Sequence, residues 1–501
     1  MRNPFFFSRN SHRNSDGLSL YTFFILGRSN FTSLKYRRWN GLPVLRLAIV
    51  AAALGGICAA QRATDEPAPL PPARFQDYPF EKWTSGPERS PIKWEIHLLA
   101  AELTAHQRLL QRIQVLVPGS ELEKRRGRGE LVLLARFEDS DGRQWRSGNR
   151  LNLQNVPPGV KSQELTFTLG AFIRPGEYKV LIVLADTGST ENSFSRRALH
   201  VAELKNDPLP DSWQGLPSVE VLSPVDVPEA WFLPEVKDRL HLVTTSRGAK
   251  PPQIDLLVNV TPSEKSPNAA SSQRRNMSAV LPAVKALSAT NVRQRPPSAA
   301  FIDLTHQRIG YETPSAAAMD WHAVVKALAD DNPGLIDAKS LAAQASMRDY
   351  FAREVAQRAG AEGPPRWLIV VSGSMFFSQQ EISALPDLPP DPNRHIVYLR
   401  LSGFFGSLSG GRGPGGRGRG ASGSIVPDVS IGPTARIQGP VPGLTLPPAA
   451  MAGRGGGRGD ATVPDDLEHV LRPLGAQVVS VTTPEIFRKT LAALLSDMSA
   501  N

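Results

Sequence analysis

From Trp94 to about Leu204, apolar and polar positions alternate in short runs. "KWEIHLLAAEL", "RLLQRIQVLVPG", "GELVLLARFEDSDGRQW", "SQELTFTLG", "GEYKVLIVLAD" and "SFSRRALHVAEL" are separated by turn signals such as Asp141-Gly142 and Pro175-Gly176. A period of two describes a strand with one buried face. Six or seven such strands in about 110 residues predict an antiparallel β-sandwich over residues 92–204.

Beyond Pro252 the rhythm changes. "IDLLVNV", "RWLIVVSG" and "HIVYLRLSG" are continuous apolar runs, as expected of strands covered on both faces. Between them, "MSAVLPAVKALSA", "AMDWHAVVKALAD" and "AKSLAAQASMRDYFAREVAQRAG" have helical spacing, and "AAFIDLTHQRIGYE" reads as strand, turn and strand. The chain closes with helix, strand and helix in "DDLEHVLRPLG", "AQVVSVT" and "TPEIFRKTLAALLSDM", the last started by Thr483 as cap and Pro484 at the first helical position. Strands alternating with helices predict an open, Rossmann-like α/β domain over 253–402 plus 464–501. The expected fold class is therefore multidomain α+β, with the β-sandwich first and the α/β domain second. Residues 62–91 read as a Pro-rich linker, and 205–252 as a connector with two short strand candidates. Residues 403–463 read as a Gly/Arg/Pro-rich disordered insertion holding 18 of the 41 glycines.

The N-terminus adds a compartment. Arg37 and Arg38 precede Leu47–Ala60, a run of 14 small or apolar residues, and Cys58-Ala59-Ala60 offers a cut before Gln61. This is the pattern of a secretory signal peptide, so residues 1–61 read as a signal peptide with an upstream extension. Export to the periplasm or beyond is expected, with anchoring if the segment stays uncleaved.

Charge and cysteine then remove several functions. The net charge is +10, but residues 1–62 hold +8 of it and 403–463 hold +4, which leaves the rest at −2. A basic nucleic-acid face is not expected there. The Arg/Gly tract is a candidate for weak contact with an anionic surface. The one cysteine, Cys58, falls in the signal segment, so disulfides, cysteine-based zinc sites and cysteine nucleophiles are excluded from the mature protein. The nine histidines form no His-Glu-x-x-His motif, and Ser374 in "SGSMF" lacks the Gly-x-Ser-x-Gly elbow.

The hairpin "RPGEYKVLIVLADTGSTENSFSRRALHV" resembles the last two strands of immunoglobulin-like domains of bacterial envelope proteins. The order of elements after Pro252 resembles a von Willebrand factor type A domain, over about 190 residues, as in secreted bacterial proteins with divergent domains of this type. That resemblance implies a metal site at the carboxyl ends of the strands, built on Asp-x-Ser-x-Ser, a loop Thr and a second Asp. Here the matching positions are Asn259, Thr261 and Ser263, then Thr313, then Ser372. Both carboxylates are missing, and neutral oxygens alone do not offset the dehydration of Mg²⁺. Those side chains are expected to cap the loop and helix that follow, and no cofactor is expected. The alternative is a metal-dependent adhesion module drawing a carboxylate from Asp255 or Asp303. The main expectation is a non-enzymatic protein that binds or scaffolds other proteins at the cell envelope.

Overall fold

The computed structural model describes residues 75–221, 239–244, 251–261, 269–321, 323–324, 327, 346–360, 363–376, 388–401, 434–438 and 465–500. All belong to one compact unit, Pro69–Asn501. The signal peptide, the extension before it, most of the 318–330 helix, Ser263 and most of the insertion lie outside the described residues. The chain is a mixed α+β protein with several antiparallel sheets. Among the described residues, no helix is long and apolar enough to cross a membrane.

The first half is built from β1 (Glu95–Leu98), β2 (Glu102–Leu103), β3 (Leu109–Pro118), β4 (Glu130–Asp139), β5 (Gln144–Asn152), β6 (Glu164–Ile173), β7 (Gly176–Asp186), β8 (Asn192–Val201) and β9 (Val219–Val221). One antiparallel sheet runs β5-β4-β7-β8; in the other, β3 lies between β1 and β6. The alternation anticipated from the sequence is visible in burial. Ile113, Val115 and Val117 of β3 and Leu131, Leu133 and Ala135 of β4 enter one core, while their sequence neighbours face away from it.

One expectation needs correction here. The linker reading of 62–91 fails from Phe75 onward. Phe75, Tyr78, Phe80 and Trp83 pack over Val132, Leu134 and Val183 on the outer face of β4 and β7, with Phe80 carried by the short helix α1 (Phe80–Thr84). Rings of this size gain too much from burial to remain in a solvated linker. Arg136 and Arg146 then stack on the Phe80 ring, at 5.0 and 4.4 Å. The charged stretch 121–130 is partly helical and ion-paired. Gly119–Arg125 forms helix α2, and Arg125 binds Glu121 at 2.6 Å, Glu191 at 2.5 Å and Asp186 at 3.5 Å.

The second half contains β10 (Leu242–Thr244), β11 (Gln253–Asn259), β12 (Thr290–Val292), β13 (Ser298–Asp303), β14 (Arg308–Thr313), β15 (Arg366–Ser372), β16 (Arg394–Leu401), β17 (Thr434–Gln438) and β18 (Gln477–Val481). Its helices are α3 (Ala269–Ser288), α4 (Met347–Ala359), α5 (Asp466–Leu471) and α6 (Pro484–Ala500). Six strands form one sheet in the order β14-β13-β11-β15-β16-β18, parallel throughout except for the edge strand β14. Both faces are covered, which explains the unbroken apolar runs. Ile254, Leu256 and Val258 of β11 join a core with α3 and α6, whereas Leu257 joins a second core with α4 and α5. The start of α6 follows its sequence signal, since Thr483 Oγ1 accepts from the Ile486 amide at 3.3 Å.

The strand β17 departs from the expectation of a wholly disordered insertion. It lies inside 403–463 and pairs antiparallel with β6, Thr434 opposite Thr168 through Gln438 opposite Glu164. The strand β9 covers the other end of the same edge, at Ala171–Ile173. Long-range pairing of this kind leaves no periodic signature beyond five residues.

The two halves meet around Arg488 of α6, which is 2% exposed. Its guanidinium forks onto the Asp207 carboxylate at 2.6 and 2.7 Å and donates to Leu209 O and Ser212 Oγ, both at 2.8 Å. It also stacks on Trp213 at 4.7 Å. The Trp213 indole N–H donates to Gln107 O at 2.8 Å, and the Gln107 side-chain amide donates to Pro484 O at 3.1 Å.

Candidate functional site

In an open parallel sheet, ligands gather at the carboxyl ends of the strands. Three of the candidate residues meet there. Asn259 ends β11 and Ser372 ends β15, and their period-two positions place both side chains on the face covered by α4 and α5. The Asn259 amide donates to Ser372 Oγ at 3.0 Å and to Met375 Sδ at 3.3 Å, and its Oδ1 accepts from the Thr261 amide at 3.1 Å. The Ser372 hydroxyl donates onward to Gly373 O at 2.7 Å. Thr261 Oγ1 accepts from the Leu304 amide at 2.7 Å. Asn259 and Ser372 are both fully buried.

Thr313 does not belong to this group. It pairs with Ala299 at the start of β13, whereas Asn259 pairs with Ile302 near its end. Because β14 runs antiparallel, its last residue returns to the opposite rim of the sheet. There, Thr313 Oγ1 donates to Ser315 O at 3.2 Å and closes a local turn. The expectation that Thr313 joins the site is therefore corrected.

The carboxylates considered as substitutes are also engaged. Asp255 lies near the amino end of β11, bound by Ser298 and by Gln253 at 3.2 Å, with Arg366 at 3.7 Å. Asp303 accepts from the His306 amide at 3.2 Å and pairs with the His306 ring at 2.6 Å and with Arg308 at 3.4 Å.

One carboxylate at this end has no counterpart among the sequence candidates. Asp465, 2% exposed, lies just before α5. Its Oδ1 accepts from the Met375 and Leu467 amides at 3.2 and 3.1 Å, and its Oδ2 accepts from the Tyr398 hydroxyl at 2.7 Å. Burial pushes its carboxyl above the usual range, against the pull of these donors and of Arg400. Burial, reinforced by the Asp465 charge, drives the Tyr398 hydroxyl well above its ordinary value. Two sequence signals were available. Asp465-x-x-Glu468 is a helix-start pattern, and Tyr398 lies mid-strand in a fully buried run, where its hydroxyl must find a partner.

Among the described residues, the donor set does not fit Mg²⁺. The oxygens at Asn259, Thr261 and Ser372 are held by neutral hydrogen bonds, and both Asp465 oxygens are filled by protein donors. Among the described residues, no group of three or more His, Cys, Asp or Glu side chains gathers in a metal-binding arrangement. What the cluster does is mechanical: it ties the loop after β15 to β11, β16 and α5.

Introducing a carboxylate at position 259 should therefore harm the protein. Asn259→Asp would place a charge against the Met375 sulfur and take away the amide donor to Ser372. The expected loss is about 2–4 kcal/mol in thermal or urea unfolding, unchanged by millimolar Mg²⁺. Full rescue by Mg²⁺ would show that the site accepts a cation. No family model matches this chain, and neither a curated protein nor a solved structure matches it.

Proposed function

We propose that this is an exported, non-enzymatic protein of the bacterial cell envelope that binds or scaffolds other proteins. On this reading its first half is an immunoglobulin-like β-sandwich, and its second half a von Willebrand A-like α/β domain without its metal. The observation that carries the functional reading is the Asn259–Ser372–Met375 contact, which fills the position where the resemblance expects a metal-binding carboxylate. The strand order supports the α/β assignment. Counted one to six along the chain, the strands of the large sheet lie 3-2-1-4-5-6, an order shared by many open α/β folds. Export rests on the pattern of residues 37–61 alone.

The test is chemical cross-linking of the full-length protein in its envelope, with and without EDTA, followed by mass spectrometry. The same protein partner is expected in both conditions. Capture abolished by EDTA would favour the metal-dependent adhesion module instead. Absence of any protein partner would sink the reading.

A further inference from the structure

The edge of β6 is shared between two short strands that arrive from distant parts of the chain. β9 covers Ala171–Ile173, and β17 covers Glu164–Thr168. β17 is a visitor from the second half. The chain leaves the large sheet at Leu401, contributes Thr434–Gln438 to β6, and returns to Asp465 beside Tyr398. Thirty-two residues separate Leu401 from Thr434, and 26 separate Gln438 from Asp465. Fully extended, these connections reach on the order of 85–105 Å.

The sequence of β17 matches its berth. Within a Gly/Arg/Pro-rich tract, "GPTARIQGP" is a five-residue stretch of alternating character bounded by Gly-Pro on both sides. The register sets Ala435 opposite Phe167 and Ile437 opposite Leu165, two buried residues of β6 that enter the core. Thr434, Arg436 and Gln438 stand opposite Thr168, Thr166 and Glu164. The register thus sets a segment of alternating polar and apolar residues against this edge. Main-chain hydrogen bonds supply most of such recognition, and alternate positions supply the selectivity. A strand delivered by its own chain is favoured by effective concentration, which falls as the connections lengthen.

We propose that the Glu164–Thr168 edge of β6 is a strand-accepting peptide site, filled at rest by the chain's own Thr434–Gln438. Its external ligand is an extended segment of the same alternation presented by a partner protein. The inference rests on the protein-binding reading above and names the surface that does the binding. It also gives the insertion a role, that of an internal competitor that keeps an exposed edge from pairing indiscriminately.

The test uses full-length protein and a fluorescent synthetic peptide spanning residues 430–442. In Arg436→Pro/Ile437→Pro, two adjacent prolines ensure that one removes a ladder donor whichever alternation holds. A second variant replaces Thr434–Gln438 with Gly and Ser, and circular dichroism verifies that each is folded. Fluorescence anisotropy should show saturable binding by both variants, about tenfold or more tighter than by the unaltered protein. A peptide carrying the same two prolines should not bind. No binding to either folded variant, or equal binding to variants and unaltered protein, would overturn the proposal. That failure would leave partner capture in the envelope unaffected, so the two readings stand or fall separately.

Discussion

Replacing Arg488 by Met should cost about 3–5 kcal/mol of unfolding free energy. The side chain is 2% exposed and serves four acceptors or rings at once: Asp207, Leu209 O, Ser212 Oγ and the face of Trp213. Removing it strands the Asp207 carboxylate, only 12% exposed, without its cation. Burial alone would raise that carboxyl, but the Arg488 hydrogen bonds and charge, together with the Leu209 amide, hold it below its ordinary value. The loss therefore reflects an abandoned charge more than a missing attraction. Asp207→Asn added to Arg488→Met should recover at least half of it, as read from urea unfolding of all four members of the cycle. A cost below about 1 kcal/mol for Arg488→Met would mean that the junction between the halves is held by packing alone.

The second large effect is an acid sensitivity centred on His106. This residue lies in the turn between β2 and β3, edge-on to Phe172 at 5.3 Å, and is 4% exposed. Burial first, then the charges of Lys285 on α3 and Arg108, lower its pKa from 6.5 to about 3. Glu220, opposite Phe172 in the sheet, is itself bound to Arg108. The folded protein thus refuses a proton that the unfolded chain accepts. Its contribution to stability is complete above pH 6.5 and drains away as the pH falls from there towards about 3. Between pH 7.5 and 4.5 the unaltered protein should lose roughly 2–3 kcal/mol more than His106→Leu, measured by denaturant unfolding across that range. Asp465 contributes with the opposite sign, because its raised carboxyl favours the folded state as pH falls. It is common to both proteins and cancels in the comparison. Parallel pH profiles for the two would show that His106 reaches solvent.

Much of the fold was legible because local patterns reported burial. β11, β15 and β16 read as unbroken apolar runs because cores lie on both faces, and β3 alternated because one face looks into a single core, whereas β4 and β7 also bury Val132, Leu134 and Val183 on their outer face. What the sequence concealed was partner choice. Thr313 satisfies the residue-type requirement for the candidate site, but its strand runs antiparallel and carries it to the wrong rim. Asp465 was hidden as an ordinary helix start, since nothing local says that Tyr398 and Met375 would come to it. Arg488 left a trace. It occupies a position in the apolar stripe of α6 shared by Pro484, Phe487, Leu491, Leu494 and Met498, where a cation must be paired or excluded. β17 was the least visible element, because five alternating residues in a Gly-rich tract acquire meaning only opposite β6.

The Arg488 junction also imposes an order in time. Its carboxylate partner precedes it by 281 residues. At synthesis rates of roughly 5–20 residues per second, Asp207 emerges on the order of 15–60 seconds before the guanidinium that neutralises it. Throughout that interval Trp213 and the turn at Gln107 lack the helix that covers them. The first half must therefore fold with an open flank and wait, and any factor that shields nascent chains has its longest opportunity at that flank.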